Sequence, residues 1–109
     1  MDTGEKDNMR LKELQNWTKE AWKKSDKKVD EKDELLFLFE EIGEVAEAIR
    51  IQNGFKKNKP IPDLEDEFGN VLLSLITLAN RYNIDLEKGM KKTMKRVEER
   101  YIKRGREEK

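Results

Sequence analysis

The stretch PDLEDEFGNVLLSLITLANRY, residues 62–82, decides the fold. Leu64, Phe68, Val71, Leu72, Leu75, Leu78, Ala79 and Tyr82 recur at three- and four-residue spacing, which is the period of one helix face. Pro62 and Asp63 stand where such a helix begins. Four acids, Asp63, Glu65, Asp66 and Glu67, lead into the apolar run. One turn later, where a metal-binding strip would call for another carboxylate, the chain offers the amide of Asn70.

The same period extends to both sides. Upstream, Leu35, Leu38, Phe39, Ile42, Val45, Ala46 and Ile49 predict a buried stripe on a helix from about Asp30 to the stop signal Asn53-Gly54. Before it, NMRLKELQNWTKEAWKK reads as a helix over residues 8–24, with Leu11, Leu14, Trp17, Ala21 and Trp22 on or near one face. Downstream, RYNID is a short turn, and Asp85 is placed to cap a fourth helix carrying Leu86, Met90, Met94, Val97 and Tyr101. SDKKVD and FKKNKPIP read as loops, and KRGREEK as a charged tail. Leu73 and Ile76 fall off the main stripe of the third helix, so an exposed apolar strip there would favour self-association.

Composition agrees with one all-α, four-helix, bundle-like domain over residues 1–109, with an ordered core of about 8–104. Only 35% of the residues are hydrophobic and 44% are charged, enough apolar material for one stripe per helix but not for a sheet covered on both faces. The 24 basic and 24 acidic residues balance, so broad nucleic-acid binding is not expected. Cysteine and histidine are both absent, which removes thiolate sites, the usual zinc ligands and the usual general base. No run approaches a membrane span and no leader is evident, so a cytoplasmic protein without a membrane partner is expected. Chemistry falls to carboxylates, amides, hydroxyls, lysines and arginines.

At ~100° per residue, Glu41 and Glu44 lie on one edge of the second helix's stripe, while Glu40 and Glu47 lie further round. Asp63, Glu67, Asn70 and Ser74 make a similar strip on the third helix. Antiparallel packing would let the two strips meet, and like charges held that close repel unless a cation sits between them. An all-oxygen cage suits magnesium or manganese. A plainer reading accounts for the same residues: acids in a helix's first turn are favoured by the macrodipole, and the acids of the second helix can form a solvated face.

FEEIGEVAEAI (residues 39–49) followed by EFGNVLLSLITLANRYNIDLEKGM (residues 67–90) resembles the MazG-like, all-α nucleoside triphosphate pyrophosphohydrolases. Their mark is a Glu-Glu-x-x-Glu helix followed by a Glu-x-x-Asp helix. Glu40, Glu41 and Glu44 complete the first motif, and Glu67 and Asn70 occupy the second, with Asn70 where the family has Asp. The likeness runs over about residues 11–104. It implies hydrolysis of a (deoxy)nucleoside triphosphate to the monophosphate and pyrophosphate. Magnesium, or manganese, would be held by Glu41, Glu44, Glu67 and Asn70, with Asp63 or Asp66 as possible substitutes for the missing charge. Glu40 would orient or deprotonate water.

The fourth helix offers Lys91, Lys92, Lys95, Arg96 and Arg100 as phosphate contacts, Arg96 and Lys92 foremost, against the plainer role of a solvated face. Trp17 and Trp22 could stack on a base or simply pack. Small single-domain members of the family are commonly dimers or tetramers, so the resemblance implies a homodimer or homotetramer, and the related phosphoribosyl-ATP pyrophosphohydrolases share the fold and chemistry. The alternative function is a catalytically weakened nucleotide-binding or helical interaction protein.

Overall fold

The computed structural model describes residues 9–26, 30–55 and 59–103. The centres of the two expected loops, the last residues of the charged tail and the limits of the expected 8–104 core lie outside the described residues. Four α-helices follow in order: α1 (Leu11–Lys24), α2 (Glu31–Gln52), α3 (Leu64–Arg81) and α4 (Leu86–Val97), the last running into a π-helical turn, Glu98–Lys103. No strand occurs among the described residues, and no described helix is long and apolar enough to cross a membrane.

Three helices begin on the same device. Asp30, Asp63 and Asp85 each accept a hydrogen bond from the backbone N–H three residues on, at Asp33 (3.0 Å), Asp66 (3.2 Å) and Lys88 (3.2 Å). Each cap occupies a donor that would otherwise be orphaned. The stop after α2 uses Gly54 at φ 98°, and the α3–α4 turn uses Asn83 at φ 55°. Both are left-handed positions that glycine and asparagine tolerate best.

α3 is the central element. It packs along α2 on one flank and against α1 on another, whereas α4 packs chiefly on α1. Both neighbours run antiparallel to α3. Glu34 at the start of α2 meets Arg81 at the end of α3. Gln15 pairs with Asn80, and Trp22 further along α1 pairs with Thr77.

The apolar stripes do not face where their periodicity suggests. Ile76, expected on an exposed strip, is 2% exposed and lies at the centre of the fold with Ala48 and Ala79; Leu73 is half-buried beside it. Conversely Leu35, Phe39, Ile42 and Ile49 of α2, and Phe68, Leu72 and Leu75 of α3, are exposed. So are Met90, Met94, Val97 and Tyr101 of α4 and its extension, and α4 has no buried residue. The reason is geometric. α3 serves two neighbours, meeting α1 through Thr77 and α2 through Glu67 and Arg81. Its stripe is therefore divided: Leu64, Val71 and Leu78 are half-buried and Ala79 buried, while Phe68, Leu72 and Leu75 are left exposed.

Polar residues fill part of the interior instead. Gln15 is buried and donates from Nε2 to Asn80 Oδ1 (2.9 Å) and to the Ile84 carbonyl (2.7 Å). Its Oε1 accepts from the Leu86 N–H (3.0 Å), and Asn80 Nδ2 returns a bond to the Gln15 carbonyl (3.0 Å). One glutamine thus fixes α1, the end of α3 and the start of α4 together. Thr18, 2% exposed, bonds back to the Leu14 carbonyl (2.8 Å).

Candidate metal centre

The α2–α3 seam brings three carboxylates together. Glu41 and Glu44 are three residues apart on α2, so they stand on neighbouring turns of one face. Glu67, in the first turn of α3, points at them from across the antiparallel pair. One carboxylate oxygen from each lies within 4.8 Å of the others. Glu41 and Glu67 are half-buried and Glu44 is exposed, so the cluster has a covered floor and an open mouth.

Its electrostatics are those of a site with too much negative charge. Burial, the charge of Glu44, a hydrogen bond with Glu44 and the charges of Glu67 and Glu40 together raise the Glu41 carboxyl above its ordinary pKa of 4.5. Glu41 Oε2 and Glu67 Oε2 are buried without a hydrogen-bond partner. Carboxylates that converge within one ion's reach and keep unpartnered buried oxygens fit a hard divalent cation, whose ligands are oxygens of this kind. Ordinary helix-start acids on a wet face would be solvated singly, and here they are not.

The remaining expected site residues are placed as follows. Asn70 is half-buried, one turn beyond Glu67 on α3. Asp63 is committed as the α3 cap, and neither Asp63 nor Asp66 joins the group within 4.8 Å. Glu40 is exposed, turned ~100° from Glu41. Trp22 is 40% exposed, and its Nε1 donates to Thr77 Oγ1 (2.9 Å), which pins α1 to α3. Trp17 is 58% exposed on α1. Lys92 and Arg96 are exposed on α4, the helix that packs on α1 rather than beside the carboxylates, and Arg96 Nη2 reaches only Thr93 Oγ1 (3.4 Å).

Glu34 was not anticipated from sequence. It lies two turns before Glu41 on α2, is 9% exposed, and its Oε1 accepts from Arg81 Nε (2.9 Å) and Nη2. The register carries the signal: 34 and 41 are seven apart on α2, while 67, 74 and 81 are seven apart on α3. An ion pair between a buried Glu34 and an exposed Arg81 on the same seam was therefore readable once antiparallel packing was assumed.

Residues 30–104 match the MazG nucleotide pyrophosphohydrolase domain. The chain belongs to the MazG family. The match takes in α2, α3 and α4, and with them all three carboxylates. A 60-residue segment is 38% identical to the uncharacterized protein YpjD of Bacillus subtilis (strain 168), covering 52% of this chain and 54% of that one. The chain thus spans about half the length of this curated relative. No solved structure matches it. Within the MazG frame, Glu40-Glu41-x-x-Glu44 supplies two of the converging carboxylates and Glu67 the third.

Proposed function

We propose that the protein is a divalent-metal-dependent pyrophosphohydrolase that splits a (deoxy)nucleoside triphosphate between its α- and β-phosphates, giving the monophosphate and pyrophosphate. The observation that carries this reading is the convergence of Glu41, Glu44 and Glu67 within 4.8 Å at the mouth of the α2–α3 seam. Membership in the MazG family supplies the reaction class.

Glu41, Glu44 and Glu67 would hold magnesium or manganese, with the Asn70 amide oxygen adding a neutral donor. When bound, the ion supplies positive charge against the phosphates and acidifies water. The protein's own residues do the rest. The half-buried floor formed by Glu41 and Glu67 limits solvent around the ligand oxygens, which strengthens each charge interaction there. The exposed Glu44 leaves the open side from which a triphosphate enters. Glu40, which completes the motif but is turned ~100° from Glu41, would orient or deprotonate the attacking water. With Asn70 in place of Asp, the ligand set would carry three charges instead of four, and the substrate's phosphates would be expected to contribute more to holding the ion. Such substrates place the work in the cytoplasm.

The test is a pyrophosphate-release screen over canonical and damaged nucleotides with magnesium and with manganese. Turnover of at least one nucleotide, lost in Glu44→Gln and Glu67→Gln, is expected. No turnover with either ion, together with activity restored by Asn70→Asp, would overturn the claim for the natural chain and leave a weakened, nucleotide-binding member of the family.

A further inference from the structure

At the end of α3 far from the carboxylates, α1 and the α3–α4 corner frame a second polar site. Asn16 and Lys19 follow Lys12 by four and seven residues on α1, so the three share one flank of that helix. Opposite them the corner supplies Asn80, Asn83 and Asp85, and together these residues line a cleft of about 200 Å³. Its floor is fixed. Gln15, buried in the lining, bonds to Asn80, to the Ile84 carbonyl and to the Leu86 N–H, which ties α1, α3 and α4 together there. Asn80 is 13 residues beyond Glu67 on one helix, about 20 Å along its axis, so no small ligand of the cleft reaches the metal centre.

We propose that this cleft binds an oligophosphate anion, with pyrophosphate the smallest that fills it. Lysine ammoniums are compact charges that hold phosphate, and each asparagine amide offers two further N–H donors. Among the described residues, no hydrogen bond or ion pair engages the side chains of Lys12, Asn16, Lys19 or Asn83, so their donors are open to a ligand. Lys12 and Lys19 stand about 10 Å apart along the helix axis. Two flexible stems at that separation close around two linked phosphoryl groups better than around one.

Size and charge set the class. Pockets that enclose drug-sized ligands run from roughly 300 to 1,000 Å³, so a cleft of about 200 Å³ takes a phosphate chain and leaves a nucleoside outside. The lining holds one carboxylate, Asp85, and its Oδ1 already accepts from the Lys88 N–H as the α4 cap. Two lysines against that one acid leave the cleft positive. The metal centre without its ion is negative and repels the same anion.

Calorimetric titration of the full chain with pyrophosphate in EDTA, at fixed ionic strength, reads this site alone and stands apart from the catalytic reading. One pyrophosphate per chain is expected. Lys12→Ala with Lys19→Ala should weaken binding at least about tenfold, because each change removes a charge-assisted contact. Both lysines are exposed, so the fold survives their loss, which circular dichroism checks. Lys23→Ala with Lys24→Ala removes the same charge from the same helix outside the cleft, and should bind as wild type does. A nucleoside triphosphate that displaces pyrophosphate shows the cleft holding a nucleotide's phosphate tail, and one that does not shows it holding the free anion; each result upholds the site. No saturable binding in EDTA overturns the proposal. An equal loss in the two double variants overturns it too, since it marks attraction by net charge alone.

Discussion

Replacing Glu41 with Gln separates a metal centre from a chance cluster of acids, because the sign of its effect depends on the ion. Each pair of charges within 4.8 Å repels by about 3 kcal/mol at an effective dielectric of ~20. Glu44 is exposed and the other two are half-buried, so solvent screening reduces the relief from deleting the Glu41 charge to about 1 kcal/mol. In EDTA, Glu41→Gln should raise the melting temperature by about 4–8 °C.

The same substitution should weaken ion binding at least tenfold. At an ion concentration near 100 Kd, the wild type gains about 2.7 kcal/mol, and the variant keeps about half of that or less. The pH dependence has a matching sign. Glu41 has a raised carboxyl pKa, so above 4.5 the folded state holds more proton than the unfolded state and stability without the ion falls as pH rises. Glu41→Gln should remove that slope. Thermal unfolding by circular dichroism, with EDTA and with titrated magnesium and manganese, reads all three effects. A variant that melts lower than wild type in EDTA, or gains as much from the ion, would refute the reasoning.

Asn70→Asp should tighten divalent-ion binding about tenfold or more by restoring a charged ligand, measured by calorimetric titration; unchanged affinity would mean that Asn70 is no ligand. Gln15→Ala strands the Leu86 N–H, the Ile84 carbonyl and Asn80 Oδ1, and should cost about 2–4 kcal/mol in urea unfolding. Arg81→Met leaves the Glu34 carboxylate buried without its partner, and should destabilise more than the double change Glu34→Met with Arg81→Met. Trp22→Phe removes the indole donor to Thr77 Oγ1 and should cost about 1 kcal/mol, while Thr77 keeps its bond to the Leu73 carbonyl.

The helices were legible because local signals mark them. Asp30, Asp63 and Asp85 were readable as starts, and each caps its helix as capping chemistry requires. The three carboxylates were legible for a related reason: Glu41 and Glu44 share a helix face by spacing alone, and only the antiparallel return of α3 was needed to bring in Glu67. Which side of each helix is covered was not legible in the same way. Periodicity reports that an apolar face exists, and says nothing of whether its cover comes from the same chain. α3 shows the consequence, since Phe68, Leu72 and Leu75 of its main stripe are exposed, while Ile76, which falls off that stripe, is buried with Ala79.

That inversion bears on the site. A helix that buries its strongest stripe inside its own chain would be free to shift with the weaker one. Here the weaker contacts and the Gln15 and Trp22 hydrogen bonds set the α1–α3 distance, while the α2–α3 seam depends on Ala48, Glu34 and Arg81. The oxygens of Glu41, Glu44 and Glu67 are thus held within 4.8 Å of one another, despite their repulsion, by a seam whose far end is fixed by the Glu34–Arg81 pair. Arg81→Met should therefore weaken manganese binding as well as stability, although Arg81 is not one of the three converging carboxylates. Calorimetric titration of a folded Arg81→Met variant that binds manganese as tightly as wild type would show that the end of the seam and its carboxylates act independently.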